Sequence, residues 1–455
     1  MKHVDFFYDF SCPYAYLAHD RVDEVCARGG ATVAWRPFLL GGVFRAIGTP
    51  DVPAAHMPAS KARMNLLDMH RWAAFFGVPF RMPETHPNRT VLALRAVMAA
   101  GEGERVRASK ALFAAYWAEG LDVSRAEVVS AALGGVGLDG AALVKRAEEA
   151  ENKEALRRAT DEAIAAGVFG APAFVVTIRG EAGREDATEL FWGQDRLVLV
   201  EAMLTGRRES GSLVAGRESG SPGAGQESGS PGAGQESGSL MGATESGSLA
   251  RGAPSTVELH FDFSSPFAYL AAVRVREVAA RAGAQVVYRP FLLGGLFKAV
   301  GTANVPLFEM PEAKRRHAVA DMHRWAARFG AVLRFPTRFP MNTVKALRMV
   351  LALGEEERAA FVDAVFRAYW AEDRDISDDA VLAEIAGGVG VDGAALVARA
   401  SEEGLKRALR DATEEVARRG VFGAPSFFVG DLLFWGQDRL EFVEKALGGW
   451  RPPGE

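Results

Sequence analysis

The sequence predicts an α/β protein in which one domain, carrying a helical insertion, is written twice in tandem. Three observations carry that reading. The chain repeats itself at a fixed offset, and each copy runs strand, helix, strand, long helical stretch, strand, strand, helix. A block of short Gly/Ser/Pro repeats separates the copies. Length alone would suggest roughly three units, because 455 residues are divided by about 150 per domain; the repeat reduces this to two.

The repeat holds one register over most of its length. Asp9-Phe10-Ser11-Cys12-Pro13 matches Asp262-Phe263-Ser264-Ser265-Pro266, 253 residues later. The same offset relates Arg36–Gly42 to Arg289–Gly295, Asp68–Ala74 to Asp321–Ala327, and Gly167–Pro172 to Gly420–Pro425. Phe191–Leu197 then matches Phe434–Leu440 at an offset of 243, so the first copy carries ten extra residues around Gly180–Glu189. The copies are expected at 1–205 and 256–448, joined by 206–255. That joining segment contains five nonapeptides from Glu209 to Ala253, of the type ESGSPGAGQ. Gly, Ser, Pro and Glu cannot build a core, so a flexible tether spanning about 35–42 Å is expected. It is long enough for the copies to pack on each other or to swing apart.

Each element has a local reason. Val4–Tyr8 and Val257–Phe261 are short apolar runs ended by Asp and Ser, the pattern of buried strands. Pro13 and Pro266 stand where a helix can begin, and Ala15–Arg28 follows with helical spacing. Val33–Phe38 reads as the second strand. From about Lys61 to Ala166 the period is helical, with breaks at Gly77–Pro87 and Gly134–Gly140. Ala173–Thr177 and Leu190–Trp192 give the last strands, and Asp195–Leu204 the closing helix.

Composition narrows the function classes. With 49% apolar and 24% charged residues the chain is ordinary globular material. A net charge of −5 spread along the chain argues against nucleic-acid binding and against a polybasic membrane anchor. No apolar run approaches the ~18–20 residues of a membrane span, and the N-terminus enters a strand-like pattern without a signal-peptide layout. Two cysteines exclude a disulfide scaffold and point to a reducing, cytoplasmic setting. The eight histidines show no metal-ligand spacing; His70 and His323 read as packing or surface residues, and no metal is expected. Trp117 and Trp370 read as core aromatics, and no glycine-rich phosphate loop is present.

Chemistry concentrates at three places. At the strand-to-helix corner, Cys12 in one copy and Ser265 in the other lie over a helix N-terminus, where free N–H groups and the dipole favour an anion. A cysteine there is expected to have a lowered pKa, and a hydroxyl there can donate to another molecule's thiolate. The bland alternative is an N-cap. Cys12 lacks a C-x-x-C partner, and Cys26, about 21 Å along the same helix, is out of disulfide reach. In the G-V-F-G-A-P segments, Pro172 and Pro425 can hold a cis peptide that presents the backbone of Ala171 or Ala424 to a ligand. In F-W-G-Q-D-R-L, Asp195 and Asp438 would either cap a helix or, with Gln194 and Gln437, receive the charged ends of an amino-acid-like ligand.

A strand leading into D-F-x-S-P, then R-P-x-L-L-x-G, a helical insertion, V-F-G-x-P and W-G-x-D-R-L resembles the DsbA-like thioredoxin superfamily. The nearest branch is the glutathione-dependent 2-hydroxychromene-2-carboxylate isomerases and kappa-class glutathione transferases. The resemblance covers both copies and omits only the tether. It implies thioredoxin-like domains with helical insertions, cis Pro172 and Pro425, glutathione as cofactor, and an intramolecular pseudo-dimer of the two copies. It places Ser265 at the serine that hydrogen-bonds the glutathione sulfur, Asn304 and Lys314 among glutathione contacts, Ala424 on the glutathione backbone, and Gln437 with Asp438 at the γ-glutamyl end. The first copy keeps Lys61, Ala171, Gln194 and Asp195 but has Cys12 for serine, Asp51 for asparagine, and Arg89 where the second copy has Asn342.

The function this implies is a glutathione-dependent isomerase or transferase acting on an aromatic, electrophilic small molecule, with the second copy the better preserved. Two alternatives stand beside it: a thiol-disulfide protein using Cys12 as a single thiol, and a non-catalytic binding protein.

Overall fold

The computed structural model describes residues 1–50, 52–180, 185–206 and 256–452. Apart from Gly206 the expected tether lies outside these residues, and so does Asp51. Each copy builds a four-stranded sheet. In the first, β1 (Lys2–Tyr8), β2 (Thr32–Pro37), β3 (Ala173–Ile178) and β4 (Ala187–Trp192) lie in the order β2-β1-β3-β4. In the second, β5 (Thr256–Phe261), β6 (Gln285–Pro290), β7 (Ser426–Val429) and β8 (Leu432–Trp435) repeat it as β6-β5-β7-β8.

Connection length sets the strand directions. β1 and β2 run parallel because a full helix, Pro13–Gly29, crosses over between them. β3 returns antiparallel to β1 after the helical insertion, and β4 pairs antiparallel with β3. β1 is covered on both faces: Val4, Phe6 and Tyr8 are fully buried on one, and Phe7 packs edge-on against Phe38 on the other. That is why it reads as an apolar run rather than an alternation. The extra residues of the first copy fall at the β3–β4 turn, where both strands have six residues against four in β7 and β8.

The insertion breaks where expected. The helix Ala59–Phe76 ends at Gly77, whose φ of 67° suits glycine. The second expected break lies between Ala126–Gly135 and Gly140–Ala147, where the Asp139 side chain caps the new helix; further breaks, not expected, fall at Gly101 and over 119–125. Trp117 and Trp370 are fully buried, as expected, and donate their indole N–H groups to the carbonyls of Phe10 and Phe263 at 2.8 Å. These two bonds tie the insertion to the ends of β1 and β5, next to the corners.

The closing helix differs from expectation. Gln194–Arg196 forms a short 3-10 turn before the helix Leu197–Thr205, and no side chain caps either element. Asp195 and Asp438 are therefore not helix caps; arginines have taken their carboxylates.

The copies embrace each other with two-fold pseudo-symmetry. The helix Ala59–Phe76 lies against the second copy, with Trp72 and Phe75 around Phe442 at 4.8 and 5.4 Å. Arg71 donates to the Leu433 carbonyl of edge strand β8 at 2.6 Å and covers the Phe434 ring at 4.5 Å. In reverse, Arg324 on the helix Glu312–Phe329 donates to the Leu190 carbonyl of β4 at 2.9 Å and covers Phe191 at 4.1 Å. Each copy thus caps the open sheet edge of the other.

Candidate functional site

Both corners are built alike up to the reactive atom. Asp9, at the end of β1, is buried and gathers four donors: Ser11 through N–H and hydroxyl, the Thr90 hydroxyl, and the Leu40 N–H, at 2.7–3.0 Å. Asp262 receives the Ser264 and Leu293 N–H groups and the Thr343 hydroxyl at 2.7–3.0 Å. Burial pushes both carboxyls above the usual range against the pull of these bonds. The Asp9 and Asp262 carbonyls accept the N–H of Cys12 and Ser265 at 3.1 Å. Each aspartate therefore holds its corner from two sides.

At the corner itself the copies differ. Ser265 Oγ accepts the Ala268 N–H at 3.2 Å and donates to the Ala424 carbonyl at 3.0 Å. It is both an N-cap and a hydroxyl aimed at the peptide before Pro425. Cys12 Sγ makes only the second contact, donating to the Ala171 carbonyl at 3.0 Å, with no cap bond. The Ala171–Pro172 and Ala424–Pro425 peptides are cis, as the resemblance implied. Cis peptides also occur at His86–Pro87 and Phe339–Pro340, where none was expected.

Cys12 corrects one expectation. Burial raises its thiol to about 12, and the helix N–H groups of Ala15 and Tyr14 only partly offset this. Desolvation of the thiolate outweighs the helix terminus. Cys26 is buried and likewise raised to about 12, and both cysteines are unpaired.

The W-G-Q-D-R segments meet at the pseudo-two-fold axis. Arg196 forms a two-pronged ion pair with Asp321 of the second copy and reaches Asp438 at 2.7 Å. Arg439 pairs in the same way with Asp68 of the first copy and reaches Asp195, both at 2.8 Å. Burial alone would raise Asp195, but Arg196 and Arg439 beside it hold its carboxyl below the ordinary range. Two guanidiniums face four carboxylates, which leaves one negative charge in excess per copy. Gly193 makes the turn into this cluster at φ 109°, and a Cβ there would meet Asp195 Oδ1 at 2.6 Å.

The two lysines are exchanged between the copies. Lys314 of the second copy holds its ammonium 5.2 Å from the Trp192 ring of the first, and Lys61 of the first lies 5.6 Å from the Trp435 ring of the second. The positions expected to serve one copy therefore sit beside the loops of the other. Neither ammonium has an ion-pair partner among the described residues, and burial lowers the pKa of both, helped at Lys314 by the charge of Lys61. Nearby donors are also unmatched: the indole N–H groups of Trp192 and Trp435 and the side-chain amide of Gln194 have no hydrogen-bond partner among the described residues. Gln437 is buried in the matching turn, whereas Asn304 is exposed beside Gly294, away from these loops in sequence.

Unmatched donors and unpaired ammoniums beside the two turns fit a ligand with carboxylates, while the excess carboxylate of each copy fits one ammonium. An acidic peptide with a free amine has that combination. No group of His, Cys, Asp and Glu able to hold a metal occurs among the described residues. No described helix is long and apolar enough to cross a membrane.

Sequence reasoning missed Tyr14 and His317. Tyr14 follows Pro13 and is raised well above a normal phenol by burial and by Asp68. His317 comes from the second copy and packs on Phe169 and Trp192 of the first. The available signal was the repeat: Tyr14 aligns with Phe267, and His317 with Met64.

The profile of the DSBA-like thioredoxin domain family matches residues 3–205 and again 256–448. Among named proteins, the chain is similar to 2-hydroxychromene-2-carboxylate isomerase of Sphingobium xenophagum, 35% identical over 192 residues, covering 42% of this chain and 97% of that protein. The protein of the same name from Pseudomonas putida is 30% identical over 192 residues, covering 42% and 94%. Glutathione s-transferase kappa 2 of Caenorhabditis elegans is 28% identical over 212 residues, covering 45% and 92%.

Proposed function

Because the chain belongs, through both of its copies, to the DSBA-like thioredoxin domain family, and to the part of it that includes 2-hydroxychromene-2-carboxylate isomerases and kappa-class glutathione transferases, we propose that it is a glutathione-dependent enzyme. Its reaction would be isomerisation, or conjugation, of an aromatic electrophilic small molecule. The active corner is that of Ser265.

The observation that carries this reading is the double engagement of the Ser265 hydroxyl. Its oxygen is fixed by the Ala268 N–H while its proton rests on the Ala424 carbonyl. A sulfur arriving beside the cis peptide can take that proton's hydrogen bond without any change in the backbone. The helix N-terminus adds favourable potential at the same point. Glutathione bound there would supply a thiolate able to add reversibly to a conjugated double bond, which removes the barrier to rotation.

The remaining roles concern binding. The Ala424 backbone and Pro425 would pair with the peptide of the ligand. Gln437 and Asp438 would receive its γ-glutamyl end, Asp438 through the negative charge that Arg196 and Arg439 leave unbalanced. Lys61, across the copy boundary, would receive a carboxylate. Gln194, Asp195, Ala171, Pro172 and Lys314 would do the same around Cys12. The two free thiols are compatible with a reducing, cytoplasmic setting.

Ser265→Ala tests the assignment. Loss of one donor to a developing anion typically costs about 10²–10³ in turnover, with binding much less affected. Turnover equal to that of the unaltered enzyme would end the assignment.

A further inference from the structure

Between the two corner sites the chemistry is not the same, and the difference comes from across the copy boundary. His317 stands one helical turn after Lys314 on the helix Glu312–Phe329. Its ring lies edge-on to Phe169, with centroids 5.3 Å apart, and to Trp192 at 6.4 Å. Phe169 precedes the Ala171–Pro172 peptide by two residues, and Trp192 opens the turn to Gln194 and Asp195. His317 is 8% exposed, yet its Nε2 has no hydrogen-bond partner among the described residues. Leaving a buried ring nitrogen without a partner is costly. The Lys314 ammonium, also unpaired, lies over the same Trp192 ring.

We infer that His317 is a ligand-binding residue of the first copy's site, where its Nε2–H and the Lys314 ammonium together receive a carboxylate of the ligand. This rests on the reading of the corners as ligand sites. Burial, with Arg324 and Arg196 nearby, lowers the imidazole to about 3, so at neutral pH it is an uncharged donor. Such a donor adds direction to the charge that Lys314 supplies. The second site has no counterpart: Met64 aligns with His317, and only Lys61 lies over Trp435. At the corner itself Tyr14 likewise becomes Phe267. The first site thus offers that carboxylate one more polar group than the second, which has Met64 and Phe267 at the matching positions of the repeat.

Calorimetric titration of the full chain with S-methylglutathione, which cannot form mixed disulfides, tests this. The expected result is two binding sites per chain. His317→Met, which copies the second site into the first, should weaken one of them about tenfold and leave the other unchanged. His317→Gln, whose amide can take the place of the ring N–H, should stay within about threefold of the unaltered protein. Lys61→Met should weaken the site that His317→Met spares, which identifies each. If His317→Met does not fold, Lys314→Met tests the same carboxylate through its charge. Unchanged affinities in His317→Met, or a single site per chain in the unaltered protein, would overturn the inference while leaving the Ser265 site standing. No binding at all would overturn both.

Discussion

Arg439, in the second copy, grips Asp68 of the first through two parallel hydrogen bonds of 2.8 Å, while Arg196 returns the same grip on Asp321. This exchange places the two W-G-Q-D-R turns back to back at the copy boundary. It makes the integrity of each site depend on the other copy. Breaking a buried pair by removing one partner costs about 3–5 kcal/mol. Arg439→Met should therefore lower the stability of the full chain by that amount, read by urea unfolding. It should also weaken ligand binding at both sites, since Asp195 and Asp438 lose the guanidinium that fixes their position. A change under about 1 kcal/mol would mean the cluster is solvated and unimportant.

Cys12 should be a slow thiol. With its pKa raised to about 12 by burial, the thiolate fraction grows about tenfold per pH unit through the range below that value. The rate of Cys12 alkylation by iodoacetamide, followed by peptide mass, should keep rising between pH 7 and 10 without a plateau. A plateau below pH 8 would show an activated thiol and revive the single-thiol redox function.

His317 gives the fold an acid sensitivity that can be isolated. Its folded-state pKa, about 3, lies below the ordinary imidazole value of 6.5, so between those limits the unfolded chain binds the extra proton. Stability is complete above about pH 6.5 and falls as pH drops toward 3, at up to about 1.4 kcal/mol per unit. His317→Met removes the group. The stability difference between the two proteins should therefore shift in favour of the variant as pH falls from 7 to 4. A difference constant with pH would place the imidazole in water.

The architecture was legible because it depends on local patterns. The strands at Val4–Tyr8 and Val257–Phe261, the proline-led corner helices and the glycine break at Gly77 each follow from short-range chemistry. The partners of the candidate site residues were not legible. Lys61 and Lys314 stand beside Trp435 and Trp192, in the opposite copies, and nothing in sequence order says which copy's arm reaches which loop. Asp195 and Asp438 look like caps from spacing alone and are claimed by arginines that arrive across the boundary. The raised Cys12 thiol shows a similar contest: the helix terminus is visible in sequence, whereas the burial that overrides it is tertiary.

The proposed function stands on the Ser265 corner holding glutathione as its thiolate. A free thiol of this kind is mostly protonated at pH 7, with a reference pKa of about 8.5, so binding as the thiolate must release a proton. Calorimetric titration of the full chain with glutathione at pH 7, in two buffers of different ionisation enthalpy, counts that proton. The account predicts clear release by the unaltered protein, and much less by Ser265→Ala at an affinity within about threefold. No release by the unaltered protein, or equal release by the variant, would contradict it.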